Sequence, residues 1–263
     1  MSKSVRYAIL LCGLFVPATT VAHYHMLLPE SASPALNRKT QFVFQWGHPF
    51  EHELFDASKP EEVFVVSPSG KRSDLSKNLE SITVGAGGNK EVKAWRFSFA
   101  SAGQGKDVEL GDYVFAARAP KTWMADENEF WQDAVKTVLH VEAQKGWDQA
   151  AGLPFELIPL TRPYGLEPGM VFQAQALFES KPVAGAMVEV EHYNARPPKS
   201  LPPDEFRTRV VKTDPNGVLS CTLTDPGWWC ITAYRDGGTM KHEGKEYPLR
   251  LRTTLWVYVD EKK

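Results

Sequence analysis

Thr40-Gln41-Phe42-Val43-Phe44-Gln45-Trp46 puts Phe42, Phe44 and Trp46 on one side of an extended chain and Gln41, Val43 and Gln45 on the other. A repeat of two with an aromatic face is the signature of a half-buried β-strand. The same pattern returns in Val92–Phe99, with Trp95, Phe97 and Phe99 on one face, and in Asp112–Arg118, with Tyr113, Phe115 and Ala117. Val63–Ser67 is a short apolar run closed by the turn residues Pro68-Ser69-Gly70. Gly85–Gly88 and Ser101–Gly105 read as loops. Glu127–Val135 is the one helix candidate, with Phe130, Trp131, Ala134 and Val135 at helical spacing. It leads into a strand at Lys136–Glu142, and the pattern does not separate helix from strand here.

A boundary falls near Lys145–Pro154. Strand signals then resume at Phe155–Ile158, Met170–Phe178, Met187–Tyr193, Thr208–Lys212, Gly217–Leu223, Trp228–Arg235 and Leu251–Val259. Seven short strands punctuated by turns predict an immunoglobulin-like β-sandwich. The order of Val183–Val188, Thr213-Asp214-Pro215-Asn216-Gly217 and Pro226-Gly227-Trp228-Trp229 resembles prealbumin-like domains. The expected fold is therefore all-β. A leader covers residues 1–22, one sandwich 23–150 and a second sandwich 151–263.

The leader reads as a secretory signal. Lys3 and Arg6 precede an apolar run from Tyr7 to Val16, and Thr20-Val21-Ala22 is a small-residue cleavage site. Cleavage after Ala18 is an alternative. Cutting after Ala22 leaves 241 residues and moves the formal charge from −2 to −4. A hydrophobic content of 43% supplies real cores. No basic stripe points to nucleic acid, and no later apolar run approaches the ~18 residues that would span a membrane. The expected product is soluble and periplasmic.

The same cut frees the α-amine of His23, beside Tyr24 and His25. A terminal amine, two imidazoles and two backbone amides then fall within three residues, a nitrogen-rich set that suits Cu(II) or Ni(II). The amine has a pKa of roughly 8, so it loses its proton to a metal at little cost near neutral pH. A second cluster, His48-Pro49-Phe50-Glu51-His52-Glu53, follows the strand ending at Trp46-Gly47 and is expected on a loop. Pro49 and Gly47 argue against a long helix there. Four of the seven histidines lie between residues 23 and 52. His23, His25, His48 and His52 are the candidate metal ligands, and Glu51 and Glu53 the residues that would orient an imidazole or balance a cation. His140 reads as a satisfied core or rim residue, His192 as a strand end and His242 as part of a charged loop. No nucleophile with a nearby base, zinc-protease motif or phosphate loop is visible, so no catalytic residue is assigned. Cys221 and Cys230 flank the turn Thr224-Asp225-Pro226-Gly227, and an exported location favours a disulfide between them across a hairpin, with two free buried thiols or a soft-metal pair as the rival readings.

Segments along the whole chain carry a family resemblance. They include His23-Tyr24-His25-Met26-Leu27-Leu28-Pro29, Gly47-His48-Pro49-Phe50-Glu51-His52-Glu53, Lys136-Thr137-Val138-Leu139, Glu156-Leu157-Ile158-Pro159-Leu160, Pro163–Gly169, Lys181–Ala186 and Thr213–Gly217. In this order they resemble the periplasmic component of ABC-type cobalt/nickel uptake, formerly a domain of unknown function. The resemblance implies nickel or cobalt as cargo and a membrane metal-uptake permease as partner. It implies His23, His25 and the Gly47–Glu51 loop as metal-site positions, and no catalytic residues. Two other readings stand beside it. One is a copper-binding histidine brace, as in periplasmic copper carriers or polysaccharide monooxygenases, which would join His23 to His48, His52 or His140. The other is a β-sandwich interaction module with no metal.

Overall fold

A computed structural model describes residues 23–86, 90–100 and 109–262. The expected leader, residues 1–22, and parts of the two glycine-rich loops lie outside these residues. In chain order the first half contains β1 (Tyr24–Pro29), β2 (Lys39–His48), β3 (Glu53–Phe55), β4 (Glu62–Val66), β5 (Arg72–Asp74), β6 (Glu80–Gly85), β7 (Glu91–Ala100), β8 (Gly111–Arg118), β9 (Thr122–Met124) and β10 (Glu129–Val141). The second contains β11 (Phe155–Pro159), β12 (Met170–Phe178), β13 (Lys181–Pro182), β14 (Met187–His192), the one-turn helix α1 (Asp204–Arg207), β15 (Thr208–Lys212), β16 (Val218–Leu223), β17 (Gly227–His242) and β18 (Lys245–Val259).

Among the described residues these strands make three sheets. A five-stranded sheet runs β1-β2-β7-β6, with β3 on β2. A four-stranded sheet holds β11, β12, β13 and β16. Between them a nine-stranded sheet runs β15-β14-β17-β18-β10-β8-β4-β5, with β9 on β10. The fold is thus all-β and sandwich-built, and strands from both sides of the 142–154 connection join in the central sheet. The join is the parallel pairing of β10 with β18, from Phe130 against Leu249 to Thr137 against Trp256. A buried ion pair reinforces it. Lys136 Nζ lies 2.6 Å from Glu156 Oε1, and Glu156 also accepts the amides of Ala151, Gly152 and Leu153.

The aromatic alternation builds the first core. Phe42 and Phe97 stack at 4.9 Å, and Phe115 of the facing sheet meets Phe42 at 4.2 Å. All three are essentially buried, each contributing about 1.5–3 kcal/mol of transfer free energy. The second core gathers Phe155, Leu157, Phe172, Leu219, Trp229 and Ile231, among others, between the central and four-stranded sheets.

Two expectations are corrected. Glu127–Val135 is no helix, because β10 runs from Glu129 to Val141. Almost every residue of that strand is buried, so the two-residue alternation that would have marked it is erased. Cys221 and Cys230 form no disulfide, and both are free thiols. The turn between them does not close a hairpin. β16 pairs with β12 in the four-stranded sheet, while β17 pairs with β14 and β18 in the central one. Cys221 packs against the second core and Cys230 belongs to the first, on the far side of the central sheet. Burial pushes the Cys221 thiol up to about 12 and raises the Cys230 thiol well above its usual value.

Candidate metal centre

The site forms where β1 begins and β2 ends. Tyr24 pairs with Gly47 and His25 with Trp46 in an antiparallel register, so His23 stands across from His48. Residues two apart on a strand share a face. His23, His25, Trp46 and His48 therefore lie on the side that also carries Phe42 and Phe44. The His23 and His48 rings are 4.4 Å apart, inclined at 63°. Trp46 stacks 5.2 Å from His23, Phe55 lies 5.2 Å from both imidazoles, and Trp131 reaches within 6.2 Å of His23. An imidazole pair thus sits at one end of the first sandwich, walled by aromatic rings.

Local backbone geometry produces this arrangement. Gly47 has φ +154°, and a Cβ there would overlap the Glu53 carbonyl and crowd Leu54. Glycine lets β3 fold back on β2, setting Glu53 opposite His48. His48 Nδ1 then lies 3.3 Å from Glu53 Oε2. With Nδ1–H facing the carboxylate, the lone pair of a neutral ring is on Nε2. That atom is buried and has no hydrogen-bond partner. Burial holds the His48 pKa below its usual value, against the opposing pull of Glu51 and Glu53. A neutral ring can ligate a metal; an imidazolium cannot. The expectation of a loop at His48 is also adjusted, because the residue closes β2.

His25 is engaged differently. Its Nδ1 is 2.7 Å from Asp133 Oδ2, its ring stacks on Phe44 and Trp46, and its carbonyl accepts Trp256 Nε1–H at 3.1 Å. Burial alone would raise the Asp133 pKa, but Arg252 and then His25 outweigh it and hold the carboxyl below its usual value. Arg252 Nε lies 3.6 Å from Asp133, and the guanidinium covers Trp131 at 4.2 Å. A chelate made by the terminal tripeptide alone would require these residues to curl out of the β1 ladder and His25 to leave Asp133. The folded chain favours His23 with His48.

The other candidates face elsewhere. His52, at φ +53°, turns its Nδ1 to the Asn194 carbonyl at 2.9 Å, with its ring 6.0 Å from Tyr193. Glu51 pairs with Arg207 at 2.8 Å. Phe50 N–H donates to buried Glu191, whose pKa burial raises to about 8, and Asn194 bonds the Phe50 carbonyl. The second half of the chain therefore clamps the turn that follows His48. His140 Nδ1 meets Asp112 at 2.7 Å, His192 Nε2 faces the Pro226 carbonyl, and His242 stacks on Trp123. Sequence reading missed Asp133, Arg252 and Phe55. Asp133 carried a signal, a lone acid inside an apolar strand, but its partners lie in remote segments.

Among the described residues no group of three or more His, Cys, Asp and Glu side chains is set to hold a metal ion. The side-chain donors at this centre are two imidazoles. A third nitrogen would be the His23 α-amine, were the chain cut after Ala22 as expected. The orphaned His48 Nε2 and the nitrogen-only donor set fit a divalent transition metal.

A family profile described as a domain of unknown function, DUF4198, matches residues 20–237. No curated protein matches the chain. Among solved structures, a DUF4785 family protein from Legionella pneumophila is 10% identical with a TM-score of 0.30, and 80% of this chain covers 53% of that one. The chain thus spans about half that protein's length. Salmonella alpha-2-macroglobulin reacted with methylamine gives 12% identity and a TM-score of 0.27, over 90% of this chain and 15% of that one. The I67–I69 fragment of titin gives 12% and 0.23, over 91% and 66%. At these TM-scores the likenesses carry no functional argument.

Proposed function

The chain belongs to the DUF4198 family, and we propose that it is a periplasmic carrier that binds a divalent transition metal, nickel or cobalt, and hands it to a membrane permease. The observation that carries the metal reading is the His23–His48 pair, 4.4 Å apart, with His48 Nε2 buried and unpartnered. The choice of nickel or cobalt, the permease and the compartment rest on the family resemblance and the leader. The reading assigns binding and transfer, with no catalytic step.

Three parts of the chain have roles in it. His23 supplies an imidazole and, once freed, the α-amine. His48 supplies the facing imidazole, and Glu53 holds that ring in one orientation. The tie between His25 and Asp133 anchors β1 so that the terminus meets His48.

A copper reading is favoured by one observation. Two facing imidazoles plus a terminal amine make a three-nitrogen brace, and intrinsic affinity places Cu(II) above Ni(II) and Co(II). Titrating the exported, processed protein with Ni(II), Co(II) and Cu(II), beside a version with one extra residue before His23, tests both readings. The processed form should bind more tightly than the extended one, because a peptide nitrogen is a poor ligand until deprotonated. Elemental analysis of protein from its native compartment identifies the cargo. Equal affinity of both forms removes the amine from the site. Failure of all three metals to bind leaves the interaction-module reading.

A further inference from the structure

A cavity of about 430 Å³ opens on the central sheet where β17 and β18 run out beyond their neighbours. Tyr234, Arg235, Asp236, Leu249, Arg250 and Glu129 are among its walls. From these walls we infer that it binds a free α-amino acid. The site is separate from the imidazole pair and does not rest on the metal reading.

Opposite charges held apart are the basis. Asp236 and Arg250 are direct register partners across β17 and β18, yet each is engaged elsewhere. Arg250 turns to Glu129, with Nε 2.7 Å from Oε1 and Nη2 3.0 Å from Oε2. Glu129 is only 7% exposed and also accepts Trp131 Nε1–H, so the guanidinium rests on a fixed base. Asp236 Oδ1 accepts the Gly238 amide at 2.7 Å, within a β-bulge that displaces the strand between Asp236 and Thr239. A guanidinium has five N–H donors and a carboxylate about four acceptor positions. Both groups therefore keep capacity for a ligand between them.

A zwitterion matches this pattern. Its carboxylate meets the Nη1–Nη2 edge of Arg250, the edge Glu129 leaves over, and its ammonium meets Asp236. The half-buried Tyr234 ring, 5.3 Å from the Arg250 guanidinium carbon, and buried Leu249 offer apolar surface to the side chain. The volume lies near the small end of the roughly 300–1,000 Å³ typical of ligand sites. A simple carboxylate would leave Asp236 unused, and a simple amine would leave unused the Arg250 N–H donors that Glu129 does not take.

Calorimetric titration of the metal-free exported protein with single L-amino acids tests the inference, with acetate and methylamine as half-ligand controls. At least one amino acid should bind with Kd below about 1 mM, and both controls at least about tenfold more weakly. Asp236→Asn keeps the Gly238 bond and lies on an exposed residue, so the fold should persist, confirmed by an unchanged thermal melt. It should weaken amino-acid binding about tenfold, as one lost charge-assisted contact predicts, and leave acetate unaffected. Arg250→Lys should weaken both. No amino acid binding by about 10 mM, or parental affinity in both variants, overturns the inference.

Discussion

His48 and His140 each set Nδ1 against a carboxylate and differ in everything after it. Each imidazole faces a carboxylate through Nδ1, Glu53 at 3.3 Å for His48 and Asp112 at 2.7 Å for His140. Asp112 is completely buried and also accepts Tyr164 Oη–H at 3.0 Å, and the His140 ring stacks on that tyrosine at 4.2 Å. The Glu53 side chain is 54% exposed. The His48 ring meets a second imidazole, and its Nε2 is left buried without a bond. A carboxylate-fixed histidine is thus ordinary construction. An orphaned acceptor costs about 1–3 kcal/mol, and in the proposed metal site the imidazole facing it would give that cost a use. Local rules broken without evident compensation tend to mark functional positions.

The comparison is broken most easily through the two carboxylates. Asp112→Ala should destabilise the fold by about 3 kcal/mol or more, since two hydrogen bonds to a charged group are lost at about 1.5–3 kcal/mol each. Glu53→Ala should stay within about 1 kcal/mol, as exposed pairs do. Urea unfolding of both measures the difference, and equal losses would remove the distinction between a structural and a functional histidine.

The next effect is on metal affinity. His48→Ala should lower it by about 100-fold or more, beyond the 10–100-fold typical of outer-shell losses. His140→Ala should stay within about twofold of the parent. Unchanged affinity in His48→Ala would mean that the terminal tripeptide binds alone.

Much of this contrast was open to sequence reading and part was closed to it. Phe42 and Phe44 announced β2 because they are buried while Gln41 and Val43 between them are half-exposed. β10 hid because both its faces are covered, so a helical spacing of Phe130, Trp131 and Ala134 read equally well. His23 and His48 were candidates from composition and chain position, yet their meeting depends on the register Tyr24 to Gly47, which no local pattern encodes. The bond between His25 and Asp133 joins residues 108 apart in sequence. The cysteines misled for the same reason. A turn at Thr224–Gly227 looks identical whether it closes a hairpin or passes from one sheet to another.

Glu53 offers a finer test. Glu53→Gln keeps size and an acceptor but removes the charge that orients the His48 ring. Metal affinity should fall about tenfold, the lower end of outer-shell effects, with unfolding free energy unchanged. A loss as large as that of His48→Ala would recast Glu53 as a ligand. No loss would leave the aromatic walls alone to orient the ring.

The smallest expected change is at His52, four residues from His48. Sequence placed both histidines in one candidate site; the structure turns His52 toward the Asn194 carbonyl and Tyr193. Alanine would confuse the test, because the residue sits at φ +53° and a left-handed conformation disfavours it. Asparagine tolerates that conformation and can donate to the same carbonyl. His52→Asn should therefore leave metal affinity within about twofold, below the roughly 1.4 kcal/mol that a tenfold change represents. An affinity loss matching that of His48→Ala would show that the turn reverses when metal binds, bringing a third imidazole to the centre. The clamp formed by Phe50, Glu191 and Asn194 would then have to open on binding, and the contrast between His48 and His140 would hold only for the metal-free protein.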